Sequence, residues 1–240
     1  MTSAWKAAWF ETGVHNKASS LWRGVEAQHV IATMRLVDSL HEHRVLEDLL
    51  ESSKPPVPAE AAGQHFLVFT PFRYRSRFPS RFRRATDPGV WYGAEELETA
   101  CAEVAYWRWR FLMDSDGLRD QALHTEHTFF QAKVRGRCAD LTAAPWKSAA
   151  RAWTQKRDYA ACQDLGDEAR KYDLAWIRYT SVRTDKGTCG AVLAPDALSL
   201  PRGFEQQTWD CKTARAGVYL QRRIERGQQY EFAAQSFGDE

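Results

Sequence analysis

The sequence has little net charge, no paired cysteines, no long apolar run and, over a third of its length, no lysine. The formal net charge is +2 on 240 residues, so no overall field advertises a polyanionic partner. Five cysteines (Cys101, Cys138, Cys162, Cys189, Cys211) are scattered without a CxxC pair. That odd, unpaired set argues against a disulfide framework and a zinc ribbon, and fits reduced thiols in a cytoplasmic protein. The N-terminal "MTSAWKAAWFETGVHNK" lacks an apolar h-region, so no signal peptide is expected. No run approaches the roughly 18 apolar residues of a spanning helix, so no membrane association is expected. GxGxxG and Walker A sequences are missing, and without a GxSxG elbow a serine hydrolase is not expected. "HEH" at 41–43 and "HTEH" at 124–127 have histidine spacings that suit a metal, but no third-ligand pattern accompanies them, so no metal site is expected.

What is present is a large core. Hydrophobic residues make up 44%, with ten Trp and twelve Phe, which belong in a globular interior. Residues 20 to 51 read as helix, because Leu21, Trp22, Val25, Val30, Met34, Val37 and Leu40 recur near helical spacing. "SSKPPVPAEAAG" at 52–63 ends that pattern, since its prolines cannot continue a helix. "FLVF" at 66–69 reads as a short strand. "TDPGVWYGA" holds a turn and a strand, and 95–112 reads as helix. "FFQAKV" at 129–134 is a further strand, 158–172 a helix, and "LAWIRYTSV" and "TCGAVLAP" two strands joined by "RTDKG". The expected class is α+β, with short strands, irregularly placed helices and no internal repeat. The expected division is an N-terminal helical extension with a Pro-rich linker (1–62) and a main domain (63–240).

Three stretches carry candidate chemistry. Arg73, Arg75, Arg77, Arg81, Arg83 and Arg84 lie within twelve residues, beside Phe72, Tyr74, Phe78 and Phe82. No lysine occurs between Lys54 and Lys133, so guanidinium is used throughout, as bidentate phosphate binding favours. A solvated basic edge and a nucleic-acid-binding module that stacks bases on the aromatics are the competing readings. On the 95–112 helix, apolar residues cover more than half the circumference. Glu103 lies in a narrow polar strip with Glu96, Thr99 and Arg110, which either faces solvent or lines a cleft. Ser181 ends a strand before a polar loop, a place for a turn residue or a site residue.

Taken in order, "PFRY" (71–74), "PSRF" (79–82), "VWYGA" (90–94), "TACAEVAY" (99–106), "YAACQDLGDEAR" (159–170) and "RYTSVR" (178–183) resemble the RES-domain family, named for an Arg, a Glu and a Ser. Arg81, Tyr92 and Glu103 follow one another at intervals of 11 residues. The resemblance implies an ADP-ribosyltransferase-like α+β core and a toxin of a toxin–antitoxin pair. It implies NAD+ as substrate and not as a resident cofactor, cleaved at the nicotinamide–ribose bond, with water, phosphate or a protein accepting ADP-ribose. The implied partner is an Xre-type helix-turn-helix antitoxin, with nucleic acid met only through it. Such cleavage passes through an oxocarbenium-like state that a fixed carboxylate stabilises. The resemblance assigns that role to Glu103. It gives the pyrophosphate to Arg73 and Arg81, a stacking face to Tyr92, and a hydrogen bond to phosphate or ribose to Ser181. Arg75 and Arg83 compete with Arg73 and Arg81 for these places.

Overall fold

A computed structural model of the chain describes residues 4–27, 33–34, 36–74 and 76–238. The strands are β1 (Val14–Glu26), β2 (Trp91–Ala94), β3 (Leu123–Asp140), β4 (Trp176–Thr180), β5 (Thr188–Val192), β6 (Leu198–Ser199), β7 (Gln206–Ala214), β8 (Gly217–Arg222) and β9 (Gln229–Ala233). The helices are α1 (Ala8–Thr12), α2 (Leu40–Ser53), α3 (Phe66–Arg73), α4 (Leu97–Met113), α5 (Ala150–Trp153), α6 (Ala160–Lys171) and α7 (Ala234–Phe237). This is the expected α+β class, but the strands are not all short: β1 has 13 residues and β3 has 18.

β3 is the organising strand. Along one edge it pairs antiparallel with β1, from Val14–Ala139 to Glu26–His127. Along the other it meets β7 and β6 antiparallel and β4 parallel. β4 pairs with β5, β5 with β2, and β2 touches β1 at Trp22–Ala94. Strands β1, β2, β5, β4 and β3 thereby close into a ring, and β8 and β9 extend the sheet beyond β7.

Strand alternation then makes two cores. Leu21, Trp91, Phe130, Trp176 and Val192 form one cluster, joined by Leu67 and Val68 of α3. Gly190 belongs there, because a Cβ would lie 2.5 Å from Leu21 Cδ1. Residues of the opposite parity, among them Phe129, Ile177, Tyr179 and Cys189, pack with Ala100, Cys101 and Ala105 of α4 and Leu165 of α6. Each large side chain so buried contributes about 1.5–3 kcal/mol.

Two expectations are corrected. Residues 20–26 are strand, not helix, so the N-terminal segment is not wholly helical. Leu21 is fully buried in one core while Trp22 packs against the other. That is alternation at period two, and seven apolar residues spread over 20 positions did not distinguish it from helical spacing. Val30 of that stripe lies outside the described residues; the end of the expected helix, 40–51, is helical within α2. The "FLVF" segment is helix. Its Pro71 cannot donate to the Leu67 carbonyl four residues back. The Trp91 indole donates there instead, at 3.2 Å.

Candidate active site

Between α4, β1, β2 and the 80–83 turn lies a cavity of about 400 Å³. Glu103, Arg81 and Tyr92 all line it. The polar strip on α4 therefore faces a cleft at Glu103, while Arg110 lies farther along and ion-pairs with Asp114.

Arg81 stands on a tight turn closed by the Ser80–Arg83 bridge. The Tyr92 hydroxyl holds that turn, 2.8 Å from Ser80 Oγ and accepting from the Phe82 backbone N–H at 3.1 Å. Gln163 of α6 donates to the Ser80 carbonyl. Gly166 lets α6 approach, since a Cβ there would lie 2.4 Å from the Phe82 carbonyl oxygen. The Arg81 guanidinium donates to the carbonyls of Trp153 and Gln155, both at 3.0 Å, and lies over the rings of Tyr159 and Tyr179. Burial works to lower its pKa, and Tyr179, Tyr159, Cys162 and Glu103 together carry it above its ordinary value. It is a fixed cation beside a carboxylate.

Glu103 is held from the strand side. The Ser181 hydroxyl donates to Glu103 Oε1 at 2.9 Å and accepts from the Arg183 backbone N–H at 3.0 Å. Cys189 Sγ lies 3.8 Å from the same carboxylate oxygen. Burial, and then the Glu103 charge, push that thiol well above its ordinary pKa, so it stays a neutral donor.

The remaining expected residues lie elsewhere. Arg73 is outside the cavity: it ion-pairs with Glu51 at 2.7 Å and lies over Tyr74. The Pro-rich linker brings α2 back against α3, and the Glu51 carboxylate captures the guanidinium. Ser181 is buried and supports Glu103 without lining the cavity. Arg83 staples its own loop through the carbonyls of Ser76, Arg84 and Ala85. Arg84 pairs with Asp164 and Asp167 of α6. Arg75 lies outside the described residues. His124 and His127 sit three apart on a strand, so alternation points them to opposite faces.

The cavity also takes residues that sequence reasoning missed. Arg23 of β1 donates to the Tyr92 carbonyl at 2.9 Å and lies over Trp91; burial lowers its pKa to about 10, so it stays cationic at neutral pH. Arg183 lies 3.2 Å from the centre of the Tyr106 ring. Arg108 pairs with Glu26 at 2.7 Å. Trp22, Glu26, Trp107, His127, Tyr159 and Tyr179 also line it. Arg183 was within reach as the last residue of "RYTSVR". Trp22 and Arg23 were hidden by the helical reading of their strand. Among the described residues, Arg23 Nε, Arg108 Nε, Arg183 Nη1 and His127 Nδ1 are buried without a hydrogen-bond partner. Arg23 lies over Trp91 on the far face of its strand, while Arg108 and Arg183 are cationic donors in the lining, which suits a ligand rich in anionic acceptors.

A chain of the M. tuberculosis MbcT–MbcA toxin–antitoxin complex is similar to this one with a TM-score of 0.48 and 13% identity, over 96% of this chain and 93% of that one. No curated protein matches. The RES domain matches residues 57–214, a span that holds Arg81, Tyr92, Glu103 and Ser181 and covers most of the chain: the protein belongs to the RES-domain family.

Proposed function

We propose that this protein is the toxin of a toxin–antitoxin pair and cleaves NAD+ at the nicotinamide–ribose bond. The observation that carries the reading is the Glu103 carboxylate, fixed by Ser181 in a cavity rich in guanidinium and aromatic groups, where the other carboxylate, Glu26, is paired with Arg108. In the proposed reaction the C1′–N bond breaks, and nicotinamide leaves as a neutral molecule with the bonding electron pair. The ribose carbon becomes oxocarbenium-like, and the Glu103 carboxylate stabilises the developing positive charge. Water adds at C1′ and releases a proton, giving ADP-ribose; phosphate or a protein side chain in place of water gives a phosphorolysis product or a modified protein. Arg81 and Arg183 bind the pyrophosphate. An Xre-type antitoxin is the partner that the family resemblance implies.

The nucleic-acid reading loses its main support. Arg73, Arg83 and Arg84 are each held by internal carbonyls or carboxylates, and Arg81 faces the cavity. The test is nicotinamide release from NAD+ by purified protein, with and without phosphate. Glu103→Gln keeps shape and removes charge, so turnover is expected to fall at least ~10²-fold with folding intact. Wild-type turnover by a folded Glu103→Gln protein, or no nicotinamide release by the wild type, rejects the proposal.

A further inference from the structure

The cavity is a slot, and Glu103 occupies only one end of it. Its α4 wall runs from Ala100 to Arg108, about 12 Å at the helical rise. Its β1 wall runs from Trp22 to Glu26, about 13 Å at the rise of a strand. The near end is fixed by a chain of neighbours: Trp22 pairs with Ala94, Ala94 with Cys189, and Cys189 lies beside Glu103. The far end is fixed by another: Glu26 pairs with His127 in the sheet and with Arg108 on α4.

That far end is built for a ligand. His127 is 3% exposed, its Nε2 lies 3.1 Å from Thr125 Oγ1, and its Nδ1 has no partner. Arg108 Nε is likewise buried and unpaired. Burial, and then the Arg108 charge, lower the His127 pKa to about 4, so the ring is neutral at physiological pH and offers a hydrogen bond without charge. Trp107 lies one turn beyond Glu103, lines the cavity and is 50% exposed, so its indole is open to a flat ligand. Gly24 lets β1 pack closely against the wall beside this end: a Cβ there would lie 2.6 Å from the Phe129 ring and 2.8 Å from Val104 Cγ2.

We infer that the end formed by Trp107, Arg108, His127 and Glu26 is a nucleobase subsite, which takes the adenosine half of a dinucleotide: Trp107 stacks on the base and His127 Nδ1 hydrogen-bonds its edge. The assignment of halves rests on the reaction proposed above. The bond cleaved at Glu103 places nicotinamide within a few atoms of that carboxylate, so the adenosine half lies across the pyrophosphate, at the other end. The charge agrees. Arg108 is already paired with Glu26 and His127 is neutral, so this end has no net charge and suits the neutral adenine ring.

AMP, which carries this half and cannot undergo the reaction, is the probe. Calorimetric titration is expected to show AMP binding to the wild type and to Glu103→Gln alike. Trp107→Ala and His127→Leu are each expected to weaken it about tenfold or more, within the range for loss of one base–aromatic stack. His127→Gln, which keeps a polar edge, is expected to recover part of the loss. In turnover, Trp107→Ala and His127→Leu should raise KM for NAD+ and shrink the preference for NAD+ over nicotinamide mononucleotide, which lacks the adenosine half. No AMP binding by the wild type, or AMP binding unaltered in both folded variants, overturns the subsite. A wild type that binds AMP through Trp107 and His127 yet releases no nicotinamide keeps the subsite and rejects the reaction.

Discussion

Ser181 fixes the Glu103 carboxylate by one hydrogen bond and is itself fixed by the Arg183 backbone. In the proposed reaction it would act through Glu103. Ser181→Ala is expected to lower kcat about tenfold, the cost of one hydrogen bond to a charged group, with KM for NAD+ nearly unchanged. A rise in KM alone would place Ser181 on the substrate instead. Arg73 makes the opposite case. Its guanidinium is held by Glu51 and by the Pro55 carbonyl, so Arg73→Ala is expected to leave both kinetic constants as they are. Steady-state kinetics on the two variants separates a residue that supports the carboxylate from one that ties α3 to α2. In sequence the two were equally attractive, since an arginine among aromatics looks the same whether a phosphate or a glutamate meets it. The equal 11-residue intervals from Arg81 to Tyr92 to Glu103 were more informative, because each interval steps between neighbouring elements that face one cavity.

At the scale of elements, α4, α6, β2, β4 and β5 were legible, with bounds shifted by a few residues. Their apolar patterns are short and ended by turns. β1 was not, because its partner β3 lies more than a hundred positions away and local spacing carries no trace of it. α3 was misread for a related reason. Its Phe and Val residues favour strands in isolation, and only the Trp91 indole makes a proline-containing helix acceptable there. β1 is nevertheless indispensable. It supplies Leu21 to one core and Trp22, Arg23 and Gly24 to the cavity. A fragment restricted to residues 57–214, the span of the family match, leaves one edge of β3 unpaired and the ring open. It is expected to show no cooperative thermal transition, whereas the full chain shows one; circular dichroism melting of both decides the point.

At the scale of the whole molecule, acid stability should fall in two windows. His127 has its pKa lowered from 6.5 to about 4, first by burial and then by Arg108. The unfolded chain therefore takes up this proton before the folded one does, and stability drops as pH falls from 6.5 towards 4, by up to about 3 kcal/mol. Glu95 and Asp140 act lower. Hydrogen bonds from Arg178 hold the Glu95 carboxyl below its ordinary pKa, against burial. For Asp140 burial opposes, and Lys17 and Thr142 prevail. Their contribution is present above the carboxylate range and is lost as pH falls below about 4. Denaturant melts across pH 4–7 are expected to show the first window in the wild type and not in His127→Gln. An unchanged slope in that variant would assign the loss to other groups.

The pairing of β1 with β3 also sets a timetable for synthesis. A ribosome that has finished α4 has made Arg81, Tyr92 and Glu103, but β1 has only its single pairing with β2 and not its long partner β3. The partner of Val14 is Ala139, and Ser181 and Cys189, which surround the carboxylate, come later still. Chains usually fold from the N-terminus as they emerge; here the first strand must wait for the middle of the chain. Translation that stops before β5 gives a polypeptide without the slot, so whatever the slot does begins only once β5 has been made.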